Sequence, residues 1–208
     1  MTEPAPVVII VDDDPSFRTF LARLVGTVGL KAISYTSAEE FLKVRPPDGP
    51  ACLVLDVQMP GLSGLDLQRE LAEAGHQLPI VFITGHGDIP MTVEAMKAGA
   101  VGFFSKPFRN QDLLDSVKEG ISLDREARQR RDEVSELRRR YESLTARERE
   151  VLALVTAGSL NKQIALKLGT TERTIKAHRG QMVQKMQADS VADLVRMADK
   201  LGIAVPQS

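Results

Sequence analysis

The chain of 208 residues has no tryptophan, two tyrosines and one cysteine. A lone thiol excludes an intrachain disulfide and a cysteine metal cage. Cys52 lies inside an apolar run, where a free cysteine is ordinarily core. Long hydrophobic stretches are missing too. No uninterrupted run is longer than Val7 to Val11, far short of the ~20 residues a membrane-spanning helix needs. The amino terminus, MTEPAP, carries an acid and two prolines instead of a basic stretch leading into a signal core. The expectation is a cytoplasmic protein with no membrane partner. Net charge is scarce as well, at −1, but the average hides an asymmetry. Residues 1–120 hold 10 Lys+Arg against 16 Asp+Glu, residues 121–142 hold 7 against 6, and residues 143–208 hold 10 against 6. An acidic front and a basic back predict two domains with different partners.

What is present begins with short apolar runs that alternate with helical patterns. VVIIV (7–11), AISY (32–35), CLVLD (52–56), LPIVFIT (78–84) and VGFFS (101–105) read as strands. Phe17, Phe20, Leu21, Leu24, Val25 and Val28 recur at helical spacing before Gly29, and a second helix is capped by Thr36 or Ser37. Further helices are expected over 64–74, over 89–98 and from Arg109. Five strand–helix units in this order predict a parallel sheet covered on both faces, an α/β fold. Ligands of such sheets bind beyond the carboxyl ends of the strands, where the strand order reverses.

The polar residues expected at those ends form a pattern. The first strand ends in Asp12-Asp13-Asp14, the third in Asp56, the fourth in Thr84, and the fifth in Ser105-Lys106-Pro107. Taken singly they are ordinary: aspartates before Pro15 can cap a helix, Asp56 can open a turn, and Lys106 can be solvated. Converging on one rim, three neighbouring carboxylates suit a hard divalent cation such as Mg²⁺, which takes oxygen ligands. The cation would keep Asp56 ionised where burial alone would raise its pKa. Gly85 and Gly87 bracket His86 after Thr84, a loop able to change shape; His86 reads as a loop residue without chemistry.

IIVDDD, LVLDVQMPGLSG, FITGHGDIPM and AMKAGAVGFFSKPF together resemble the receiver domain of bacterial two-component response regulators. The resemblance implies that Asp56 accepts a phosphoryl group from a sensor histidine kinase. Asp13 would bind Mg²⁺ directly and Asp12 through water, with Asp56 and the backbone carbonyl of Gln58 completing the protein ligands. Thr84 and Lys106 would contact phosphoryl oxygens, and Phe103 would be the rotating aromatic of the family's switch. Phe103 and Phe104 also read as plain core on opposite faces of the sheet.

From Ile121 to Leu144 there is no proline or glycine and the charges alternate in sign. Leu123, Ala127, Val134, Leu137, Tyr141 and Leu144 fall on a 3–4 spacing interrupted by Arg130. The segment is expected to be one linker helix, either a seam between two chains or a solvated extension of the last receiver helix. Beyond it, Thr145 with Glu148 forms a capping box, and Gly158 ends the first helix. Asn161 opens a short helix, Gly169 makes a turn, and Thr171 caps a longer helix over 172–186. Two helices joined by such a turn make a helix-turn-helix, the second basic enough for a major groove.

LTAREREVL, NKQIALKLG and TIKAHR resemble the LuxR-type helix-turn-helix, and its pairing with a receiver resembles the FixJ/NarL class of regulators, FixJ-like ones most. The implied layout is a (βα)5 receiver over 1–120, a linker helix over 121–142, and an all-α four-helix DNA-binding domain over 143–208. Lys176, Arg179 and Gln181 would face bases or groove; Thr171, Thr174, His178 and Lys185 would lie near phosphates. Gly180 departs from the family pattern, since glycine inside a helix costs about 1 kcal/mol and reads no base. The function implied is transcription control by phosphorylation, which promotes receiver dimerisation and binding to duplex DNA half-sites, with RNA polymerase as a further partner. Two rivals are a DNA-binding regulator with a vestigial receiver and a Mg²⁺-dependent phosphatase. No second catalytic acid paired with Asp56 supports the latter, so the protein is expected not to be an enzyme.

Overall fold

Residues 4–85 and 89–203 are described by the computed structural model. His86 and Gly87, in the expected loop after Thr84, lie outside them. The chain divides into two compact units, Met1–Arg128 and Gln129–Ser208, which build their cores from different patterns.

In the first unit the core follows from alternation along strands buried on both faces. The strands are β1 (Val7–Val11), β2 (Lys31–Tyr35), β3 (Ala51–Asp56), β4 (Ile80–Thr84) and β5 (Gly102–Ser105). The helices are α1 (Pro15–Gly26), α2 (Ala38–Leu42), α3 (Gly64–Glu73), α4 (Ile89–Lys97) and the beginning of α5 (Asn110–Glu142). Ile9, Val11, Leu53, Leu55 and Phe82 point to one face and meet Phe41, Leu67, Leu71 and Ala95. Val8, Ile10, Cys52, Val54, Val81 and Ile83 point to the other and meet Leu21, Val25, Leu113, Val117 and Ile121. Cys52 is thus core, and burial pushes its thiol far above the ordinary range.

All pairings are parallel, in the order β2-β1-β3-β4-β5. Strand order reverses around β1, so the crevice lies between the carboxyl ends of β1 and β3. Val11 registers with Leu55, which sets Asp12 beside Asp56. Ser37, not Thr36, is the N-cap of α2, accepting from Glu40 N. Gly64 lets α3 start directly behind Asp56: a Cβ there would lie 2.3 Å from the Asp56 carbonyl oxygen.

The opposite end of β3 is fixed by a polar clamp from α5. Asp124, 2% exposed, accepts from the Ala51 backbone N–H at 2.8 Å and from Arg128 Nε at 2.7 Å. Arg128 donates in turn to the carbonyls of Asp48 and Pro47 at 2.9 and 3.1 Å. This clamp belongs to the segment expected to be linker, and it ties α5 to the first unit as far as Arg128. Beyond it, Leu137 is buried, Leu144 joins the second core and Tyr141 packs on that core. These three seam residues are therefore covered by their own chain, whereas Leu123 stays 46% exposed.

The second unit adds α6 (Ala146–Thr156), α7 (Asn161–Lys167), α8 (Glu172–Met186) and α9 (Val191–Lys200). Val151, Leu152, Val155, Ile164, Ala165, Ile175, Met182, Met186 and Leu194 form its core. Gly158 and Gly169 take φ of 83° and 62° just past α6 and α7, the left-handed stop that glycine adopts without strain. No helix among the described residues is long and apolar enough to cross a membrane.

Replacing Asp124 with Ala strands the buried Ala51 N–H and takes the acceptor from Arg128 Nε, whose other two bonds remain. The expected loss is about 1–3 kcal/mol of first-unit stability, measured as a lower urea midpoint together with faster hydrogen exchange at the Ala51 amide.

Candidate functional site

The rim at the carboxyl ends of β1, β3, β4 and β5 collects the acidic cluster. One carboxylate oxygen from each of Asp12, Asp13 and Asp56 lies within 4.8 Å of the others. Asp12 is 2% and Asp56 8% exposed, whereas Asp13 faces solvent. Asp14 stands apart from the cluster as the N-cap of α1, accepting from Ser16 N and Phe17 N. Asp12 Oδ1 accepts from Asp14 N at 2.8 Å and Asp56 Oδ1 from Gln58 N at 2.9 Å. Each bond occupies Oδ1 and leaves Oδ2 to accept from Lys106.

Lys106 answers that crowding. Its Nζ donates to Asp56 Oδ2 at 3.0 Å and to Asp12 Oδ2 at 3.3 Å. Burial pulls the Lys106 pKa down, but the Asp56 and Asp12 carboxylates outweigh it and leave the group raised. Burial raises Asp12 most; its bond from Asp14 N and the charge of Lys106 oppose this, and Asp56 adds to it. Lys106 Nζ also lies 3.7 Å from the centre of the Phe17 ring, a cation–π contact. The Lys106–Pro107 peptide is cis. Thr84, at the end of β4, is fully buried beside this rim, and Phe103 of β5 packs half-buried against Phe82 with ring centres 6.0 Å apart.

Three carboxylates against one ammonium leave the cluster short of positive charge. The donor set is all oxygen and clustered, and its most buried member is disfavoured as an anion. A hard divalent cation fits it.

In the second unit α8 presents an exposed polar side. Arg173, Lys176, Ala177, Gly180, Gln181 and Gln184 are exposed, while Ile175, Met182 and Met186 are buried opposite them. Thr171 caps the helix, accepting from Thr174 N at 3.2 Å, and the two threonine hydroxyls are 2.9 Å apart. Arg179 is half-buried and donates from Nη1 to Asn161 Oδ1 at 2.6 Å, fastening α8 to α7. His178 is half-buried. Lys185, grouped by sequence with residues near phosphates, has a partner inside the unit: its Nζ lies 2.7 Å from Oε2 of Glu148, which is 1% exposed. A buried carboxylate needs that cation, so Lys185 is committed to the fold.

The family model of the response regulator receiver domain matches residues 8–118. That of the bacterial regulatory proteins of the luxR family matches residues 142–198. The chain belongs to the two-component response regulators. It is 51% identical over 198 residues to nodulation protein W of Bradyrhizobium diazoefficiens, covering 95% of this chain and 87% of that protein. It is 41% identical over 204 residues to the transcriptional regulatory protein FixJ of Azorhizobium caulinodans, covering 98% and 96%. Among solved structures, the response regulator StyR matches with a TM-score of 0.87 at 47% identity, covering 95% of this chain and all of StyR. The regulator thus falls in the FixJ/NarL class, whose two domains serve phosphorylation-dependent control of transcription.

Sequence reasoning missed several residues that serve this response regulator's sites. Arg18 Nη1 donates to the Asp12 carbonyl at 2.5 Å. Phe17 backs the Lys106 ammonium, and Asn161 holds Arg179. Their positions carried only helix signals; the Phe17–Lys106 contact joins segments far apart in sequence, and the other two depend on how a helix packs on its neighbour.

Two outcomes follow from these charges. Mg²⁺ should stabilise the first unit by about 1.4 kcal/mol for each tenfold excess over its dissociation constant, seen as a higher melting temperature; Asp13→Ala should remove that rise in scanning calorimetry. In the second unit, burial alone would push the Glu148 pKa up, but Lys185 and Thr145 hold it below its ordinary 4.5. Its folded pKa lies below the unfolded one, so its stabilisation is full above about pH 4.5 and fades as pH falls through the folded value. Glu148→Gln should flatten the acid side of the second unit's stability curve, measured by urea unfolding from pH 6 down to about pH 3.

Proposed function

We propose that Asp56 is the phosphoryl acceptor of this response regulator and that a sensor histidine kinase is the donor. The observation that carries the reading is Asp56 beside Asp12 and Asp13, with Lys106 bridging Asp56 and Asp12. In the transfer, a phosphorus–oxygen bond forms to the Asp56 carboxylate as the phosphorus–nitrogen bond to the kinase histidine breaks. The leaving imidazole takes up a proton from water. Asp12, Asp13, Asp56 and the Gln58 carbonyl would hold Mg²⁺, which supplies charge to offset the phosphoryl oxygens. Lys106 gives its ammonium to one of those oxygens, and Thr84 gives its hydroxyl to another. The Gln58 N–H keeps the Asp56 carboxylate in its plane.

Phosphorylation draws Thr84 toward the new group, and Phe103 repacks into the space this leaves at the end of β4. The face of α4 and β5 then changes shape, and two receivers pair there. Pairing sets two α8 helices on two half-sites of duplex DNA. The second half-site is met at an effective concentration raised toward the mM range. Lys176, Arg179 and Gln181 reach bases or groove, and Thr171, Thr174 and His178 stand near phosphates, which fix register while base edges specify sequence. RNA polymerase is the partner that turns this binding into transcription, and a DNA ligand puts the work in the cytoplasm.

Acetyl phosphate with Mg²⁺ should label the wild type at one site and leave Asp56→Asn unlabelled, as read by intact-protein mass. The labelled protein should also elute as a dimer. Equal labelling of the two proteins would sink the assignment of Asp56, and labelling without a change in elution would sink the pairing.

A further inference from the structure

Glycine inside a helix weakens it, because the unfolded chain gains freedom, so a helical glycine calls for a cause. Gly26 is the last residue of α1, where the helix stops, and a Cβ there would meet nothing within 4 Å. At the other two helical glycines of the first unit the cause lies within the chain. A Cβ on Gly64, which opens α3, would meet the Asp56 carbonyl oxygen at 2.3 Å. One on Gly120, inside α5, would meet Cys52 Sγ at 2.6 Å. Gly180 in the middle of α8 is different. Apart from the helix's own backbone, a Cβ there would meet nothing within 4 Å. Its φ is not in the left-handed region that favours glycine. Neither crowding nor backbone conformation inside this chain asks for glycine at 180.

Its position supplies the cause. Gly180 follows Arg173 by seven residues and Lys176 by four, and precedes Gln184 by four, a spacing that aligns them on one helix face. That face is exposed, with Ala177 and Gln181 along it, and the buried Ile175, Met182 and Met186 lie behind it. The absent side chain would stand in the middle of the surface that α8 turns outward.

We infer that Gly180 is a specificity-determining position of α8, where the missing side chain lets the helix backbone lie against the base edges of the major groove. This rests on the reading of α8 as the DNA-facing helix. Close approach brings Lys176 and Gln181 within reach of the edges: lysine pairs with guanine O6 and N7, and glutamine pairs with adenine N6 and N7. A methyl at 180 holds the backbone off. Long side chains on phosphates tolerate such a shift, but hydrogen bonds to bases weaken steeply beyond about 3.2 Å. The substitution therefore costs sequence-specific binding and spares non-specific binding.

The test uses the full chain treated with beryllofluoride and Mg²⁺. Wild type first selects its preferred duplex from a pool of random DNA duplexes. Wild type, Gly180→Ala and Gly180→Ser are then titrated with the enriched duplex and with a scrambled one, and the melting temperature of each protein is recorded. The expected result is at least about tenfold weaker binding of both variants to the enriched duplex, equal binding to the scrambled one, and no loss of melting temperature. A smaller loss on the enriched duplex, an equal loss on both duplexes, or a fall in melting temperature would overturn the inference. If wild type enriches no duplex, the DNA-facing reading of α8 falls first and takes the inference with it.

Discussion

Two carboxylates that repel each other and one ammonium that holds them together set the form of the first unit's functional end. Asp12, Asp56 and Lys106 come from three parts of the chain, and no local sequence element would gather them. The sheet does so, because a parallel order that reverses around β1 leaves β1 and β3 as neighbours ending at the same height. Lys106 arrives from the end of β5 and reaches both acids. Its single charge cannot match three carboxylates. The rim is thus held in shape yet left with an unmet demand for positive charge, the condition a phosphoacceptor exploits.

The rest of the unit serves that rim at a distance. Gly64 lets α3 begin against the Asp56 carbonyl, and the Asp124–Arg128 clamp holds the other end of the same strand. Asp56 therefore sits on a strand secured at both ends. Phe17 covers the side of the Lys106 ammonium, and Arg18 occupies the Asp12 carbonyl. A side chain pinned this way has fewer alternatives to lose when it binds.

Much of this was legible in the sequence because it depends on local signals. Strand positions followed from the apolar runs, and each of the five falls within two residues of its expected limits. Caps at Thr145 and Thr171 and turns at Gly158 and Gly169 were visible as residue types with a single structural use. Pairings between distant segments were not. Lys185 was expected near DNA phosphates, and only the fold reveals Glu148 of α6 buried against it. Asp124 looked like one of many alternating charges on a linker, with nothing local to mark its bond to Ala51. Alternating charge predicts a solvated helix, and two of those charges turned out to be structural.

The way α5 is shared has a consequence for how such a chain can be cut and rejoined. Asp124 and Arg128 are bound into the first unit, whereas Leu137, Tyr141 and Leu144 are buried with or packed on the second. A fragment beginning at Ser143 would strip two apolar groups from the module it was meant to isolate, and one ending at Gly120 would unlatch the base of β3. The seam for exchanging modules between regulators of this kind runs instead through the middle of a helix, between Arg128 and Gln129. There a chimera keeps both cores whole, provided the number of helical residues across the joint is preserved.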